Sequence, residues 1–178
     1  MMQDSKLVFP EVINNFNVYN SGNKLQGISG EVNLAELKAK TATVSGAGIL
    51  GEYETAVIGM FENLSQEIPF RMINREFFDL MDTSKQAEIV LRSSVQNVNK
   101  SSGGVLSTQG MRIVFRGRPT AFKPGQLKIA DLMNASVTLG LTYVLIEMGG
   151  EKKMELDKLN EIYVVNGKDL LEDVRKQC

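Results

Sequence analysis

The chain has 178 residues and 19.7 kDa, with 43% hydrophobic and 23% charged residues, the profile of one globular domain. Lys plus Arg is 20 against Asp plus Glu 21, so the net charge is -1 and a dedicated nucleic-acid binder is disfavoured. There is no histidine and the single cysteine is Cys178, which excludes Ser-His-Asp and Cys-His catalysis, His-type zinc sites and any intrachain disulfide.

In chain order, Asn15 to Tyr19 and Lys24 to Ile28 alternate around Asn20-Ser21-Gly22-Asn23, which predicts a β-hairpin. Residues 31–51 lose clear alternation, and so long an unpatterned stretch predicts a functional loop that reaches a neighbour. Residues 63–71 alternate again through Leu64, Ile68 and Phe70, with Gln66 interrupting the apolar side and Pro69 marking an edge position. Asn74 is placed to cap a short helix over residues 75–81 that shares Phe77, Leu80 and Met81 on one buried face.

The second half reads as strands. Residues 86–95 and 106–118 alternate around the turn at Ser101-Ser102-Gly103-Gly104. In residues 133–145 the odd positions are Met, Ala, Val, Leu, Leu, Tyr and Leu, which predicts a long strand with one apolar face. Gly149-Gly150 turns the chain into two further short strands, and residues 168–176 predict a closing helix with Glu172 facing Lys176. The expected architecture is mainly β (α+β), an antiparallel barrel or sandwich with a short internal helix and a C-terminal helix.

Gly46-Ala47-Gly48-Ile49-Leu50-Gly51 is a literal G-x-G-x-x-G, and Tyr53, Ala56, Val57, Met60, Phe61 and Leu64 after it tolerate helical spacing. A dinucleotide site needs a buried parallel strand before this motif, whereas Lys40 to Val44 has no continuous apolar run. A flexible Gly-rich loop is the preferred reading. Arg112, Arg116 and Arg118 form a basic stripe, expected to make salt bridges to a neighbour or on an outer polar face. The carboxylates form no acid/base pair, and the reading assigns neither catalysis, nor cofactor, nor metal.

Several segments together resemble the major tail tube proteins of contractile-tailed bacteriophages. They are Asn14 to Asn23; Leu34-Ala35-Glu36-Leu37-Lys38-Ala39-Lys40-Thr41 with the glycines that close its loop; Glu67 to Arg71; Gly117-Arg118-Pro119; and residues 143–149 and 155–171. The resemblance covers nearly the whole chain in order. It implies one tail tube domain over residues 1–178, with residues 31–51 as a flexible inter-subunit or inter-ring loop; residues 1–13 are read as an N-terminal extension, in which the chain departs from the family pattern. Leu37, Lys38, Lys40, Thr41, Gly46, Gly48 and Gly51 are the loop residues it singles out.

The same resemblance implies homohexameric rings that stack into a tube in the virion tail, assembled in the host bacterial cytoplasm. The implied partners are the tail sheath, baseplate, tail terminator and tape measure proteins, with DNA in transit without specific binding and no membrane. R-type bacteriocin tubes share this plan, and a type VI secretion-like ring carrying effectors is the alternative.

Overall fold

Alternating apolar residues in three long segments build the centre of the molecule. In the computed structural model, which describes residues 8–100 and 103–178, these are β6 (Ala87–Asn99), β7 (Val105–Lys123) and β8 (Ala135–Met148). Before them come β1 (Val8–Asn20), β2 (Asn23–Lys24), β3 (Ala39–Ser45), β4 (Glu52–Phe61), β5 (Ser65–Phe70) and helix α1 (Arg75–Asp79); after them come β9 (Glu151–Asp157), β10 (Ile162–Val165), β11 (Lys168–Asp169) and helix α2 (Glu172–Gln177). One antiparallel sheet runs in the order β11-β10-β9-β8-β7-β6-β1-β2, β5 pairs with β8, and β3 and β4 form a separate hairpin. This is the mainly β, two-helix architecture expected.

The sheet curls until the segment after β2 meets β5. Ile28 bridges Phe70, while the Ser29 amide donates to the Pro69 carbonyl (3.1 Å) and the Arg71 amide to the Gly27 carbonyl (2.8 Å). Inside lies the core, with Ile68, Phe70, Phe77, Ile89, Val137 and Leu139 essentially inaccessible. The Asn74 side chain accepts from the Phe77 amide (3.0 Å), so the predicted cap starts α1, and its Nδ2 donates to the Gln26 carbonyl (3.0 Å). That cap therefore also fastens the helix to the segment after β2.

Gln66 turns out to be as buried as the apolar residues beside it. Its Oε1 accepts from the Ala35 amide (2.8 Å) and its Nε2 donates to the Asn33 carbonyl (2.8 Å) and the Glu67 carbonyl (2.7 Å). One side chain thus pins the strand-free segment 31–38 to the barrel. Gln66→Leu leaves those backbone groups without their partner, and chemical denaturation is expected to show a loss of about 1–3 kcal/mol. Faster amide exchange at Ala35 should accompany it; unchanged exchange there would contradict the clamp.

Several expectations need correction. Residues 39–45 of the presumed loop are strand β3, and residues 52–61, compatible by spacing with a helix, are strand β4. The second arm of the first hairpin is only Asn23–Lys24, and residues 8–13 of the presumed extension are the first half of β1; residues 1–7 lie outside the described residues. The closing helix starts at Glu172, because Lys168–Asp169 pairs with β10, although the Glu172–Lys176 ion pair forms as expected (2.6 Å).

A further correction concerns β8, whose odd positions do not share one face. Register slips between Arg116 and Gly117, leaving Thr142 as an extra residue. Ala135, Val137, Leu139 and Leu141 join the main core, but beyond the bulge Val144 takes that side. Tyr143 and Leu145 turn to the opposite face, where they pack with Val90 and Val114. Gly117 makes the bend possible, since a Cβ there would sit 2.1 Å from the Gly140 carbonyl oxygen.

Candidate assembly surfaces

The singled-out loop residues all lie along the β3–β4 hairpin and its base. Leu37 packs against the main core, and Lys38 pairs with Glu62 (3.1 Å) at the point where the hairpin leaves the body. Lys40 and Thr41 stand in β3, and Gly46, Gly48 and Gly51 form the turn at the far end, with φ of 152°, 89° and 88°. The seven residues therefore span one arm from base to tip and do not converge on a pocket.

The arm is anchored at one end only. Thr41 pairs with Ala56 and Ala39 with Phe61, so Lys40 faces the four bulged residues Val57, Ile58, Gly59 and Met60. Gly59 adopts φ 71° against Leu171, where a Cβ would lie 2.5 Å from Leu171 Cδ1. Phe61 meets Tyr163 edge to face at 5.1 Å, and Lys158 Nζ donates to the Glu62 carbonyl (2.7 Å). Beyond this base, Tyr53, Ile58, Met60 and Leu50 are exposed, Leu50 completely.

The glycine motif is thus a hairpin turn. The chain leaves Gly51 as a strand, so no helix N-terminus is present to receive a phosphate, and the nucleotide reading fails on geometry. Among the described residues no cluster of carboxylates or Cys has the makings of a metal site. No helix of the described residues is long and apolar enough to cross a membrane.

Two further surfaces were not anticipated from the sequence. Among the described residues the outer edge of β1 is unpaired over most of its length, because the β2 segment covers only Val18, Tyr19 and Asn20, and Val8, Phe9, Val12 and Ile13 are exposed along it. The loop between β7 and β8 presents Leu127 and Ile129, 88% and 98% exposed. Their clearest signal was an apolar pair or alternation with no partner strand nearby.

The second face of the sheet carries three cross-strand rows. The central one runs Tyr19, Val90, Val114, Leu145, Glu155; beside it lie Asn17, Arg92, Arg112, Glu147, Lys152 on one flank and Glu88, Arg116, Tyr143, Asp157 on the other. Four cationic and four anionic side chains occupy these rows, and three of each are joined in ion pairs. Arg112 pairs with Glu147 (2.9 Å), Arg116 with Glu88 (2.6 Å) and Lys152 with Glu155 (2.5 Å). Arg92 and Arg116 lie over the rings of Tyr19 and Tyr143, at 5.1 and 4.5 Å from the centroids. Two of the three stripe arginines thus make salt bridges on a polar face, as expected, with partners in their own chain.

Burial, reinforced by the hydrogen bond to Glu155 (2.8 Å), pushes the Tyr143 hydroxyl up from 10.0 to about 12. A raised folded-state value means that the stability it carries is complete below about pH 10 and drains away as pH rises toward 12. Ultraviolet titration should show a tyrosinate step near pH 12 that Tyr143→Phe removes. If that substitution instead removes a step near pH 10, the hydroxyl is not held as described.

Comparison with known proteins decides what such a molecule is. The sequence profile of phage tail tube protein FII matches residues 10–178. The chain belongs to that family. It is 25% identical to the tail tube protein of Escherichia phage P2 over 175 residues, 96% of this chain and 98% of the relative. Over 72 residues, 40% of the chain and 41% of the relative, it is 36% identical to the major tail tube protein of Serratia phage KSP20.

Its fold is similar to the PVC sheath/tube terminator of an extracellular contractile injection system in the extended state, with a TM-score of 0.55 at 13% identity, covering 78% of this chain and 97% of that one. As a family member the protein is a structural, non-enzymatic component of the phage tail tube and part of the virion tail. Membership likewise implies assembly with other tail components.

Proposed function

We propose that this tail tube protein forms hexameric rings that stack into the hollow inner tube of a contractile tail, with a lumen through which DNA passes. The observation that carries this reading is the combination, in a tail tube family member, of an unpaired β1 edge and an arm anchored only at its base. An open antiparallel edge with exposed apolar side chains is a template for pairing with another chain, and a closed ring of identical subunits removes every such edge.

The self-neutralised second face of the sheet suits the lumen wall. Its arginines are engaged by carboxylates and tyrosine rings of the same chain, so it offers no run of free cations to hold a phosphate backbone. The net charge of -1 fits the same role, because weak self-repulsion favours dense assembly. The hairpin, exposed at its tip, supplies the contact between rings. The sheath would then enclose the tube, baseplate and tail terminator proteins would hold its two ends, and the tape measure protein would occupy the lumen during assembly. Sedimentation tests the first step: species far above 19.7 kDa should grow with concentration. A monomer at every concentration, even with a baseplate template, would overturn the proposal.

A further inference from the structure

A groove of about 690 Å³ opens beside β1, between that strand and the segment that runs from Lys24 to Leu34. Its floor includes Ile13, Ile28, Val32, Leu34 and Met111, and Lys24, Arg71 and Glu31 stand at its wall. Neither Lys24 nor Arg71 makes an ion pair among the described residues, so the groove carries an excess of one unneutralised positive charge. The arm carries the complementary features. Leu50 is fully exposed, Ile49 beside it is exposed as well, and Glu52 and Glu54 follow with no ion-pair partner among the described residues, against the single cation Lys40.

We propose that this groove is the receptor for the hairpin tip of a second copy of the chain, with Ile49 and Leu50 seated on the apolar floor and Glu52 and Glu54 against Lys24 and Arg71. This deepens the reading of the hairpin as an inter-ring contact and rests on it. Tip and groove are different patches of one surface, so the contact is head-to-tail and repeats from copy to copy along an axis. Such a contact extends a stack without limit, unlike a self-complementary patch, which stops at a pair. The groove is bounded on one side by β1 at Ile13 to Val18.

Cysteine linking tests the assignment in assembled full-length protein with Cys178→Ser as background. Leu50→Cys in one population and Gln26→Cys, an exposed position on the groove wall, in another should give intermolecular disulfides on mild oxidation. The yield should exceed that of Gln26→Cys with Leu127→Cys, the other exposed apolar tip, by tenfold or more. Reversing the groove charges with Lys24→Glu and Arg71→Glu should cut assembly at least tenfold, and adding Glu52→Lys and Glu54→Lys to the same chain should restore it. Linking to Leu127→Cys instead, or no link at Gln26→Cys within intact tubes, overturns the groove assignment. If tip substitutions abolish tubes while no link forms, the groove falls and the hairpin role stands; if tip substitutions leave tubes intact, the hairpin role falls with it.

Discussion

Replacing both Ile49 and Leu50 with Asp is expected to abolish tube formation while leaving the folded subunit as stable as before. Both residues lie at the turn of the β3–β4 hairpin, and Leu50 is fully exposed in the isolated chain. Exposed positions away from caps and ion pairs shift stability by no more than about 0.5 kcal/mol, so thermal or denaturant unfolding should barely change. In a stack the same side chains leave water, at about 1.5–3 kcal/mol each, and a carboxylate in their place adds a desolvation cost. The concentration needed for assembly should rise by about 100-fold or more. Light scattering reads that rise, and normal scattering at the usual concentration would remove the hairpin from the inter-ring contact.

The second large effect is on the fold. Phe77 is 1% exposed, sits in the first turn of α1 and meets Phe70 edge to face at 5.6 Å. Truncation to alanine removes a buried ring from the floor of the barrel and leaves a cavity, at a cost of about 3–5 kcal/mol. Against a typical total of about 5–15 kcal/mol, that is enough to leave the subunit marginal. Phe78, its neighbour, is 59% exposed but meets the Phe77 ring edge to face at 5.6 Å, so Phe78→Ala serves as the milder comparison and should cost no more than about 1.5 kcal/mol. A urea midpoint that moves equally for both would show that the burial of Phe77 does not hold the helix to the sheet.

Much of this molecule was legible before the structure because its barrel strands bury one side. Ile89 and Leu91, or Ile113 and Phe115, could not move to the other face without exposing the core, so period-2 alternation survives in the sequence. The Asn74 cap was legible for a similar reason: the residue type and the three-residue spacing to Phe77 are set by backbone geometry.

The β3–β4 hairpin was not. Thr41, Ala42 and Thr43 are exposed and, among the described residues, their strand pairs only with β4, so no one-sided burial imposed a pattern, and Gly59 and the four-residue bulge blurred what remained. In β8 the alternation was present but its meaning changed, because the Thr142 bulge moves Tyr143 and Leu145 to the second face. Periodicity cannot report an inserted residue that the neighbouring strand lacks.

The candidate surfaces show the same division. Resemblance pointed to residues 37–51, and the structure assembles them as a single arm with the glycines at its tip. The β1 edge and the receptor groove remained hidden, since both depend on which strand lacks a neighbour, a property of topology rather than of local sequence.

Electron microscopy of the purified full-length protein in negative stain is the most direct test of the central claim. Rings with sixfold symmetry, stacked into hollow tubes of uniform diameter at high concentration, are the predicted result. Only separate 19.7 kDa particles across the whole concentration range, with or without a baseplate to template growth, would contradict it.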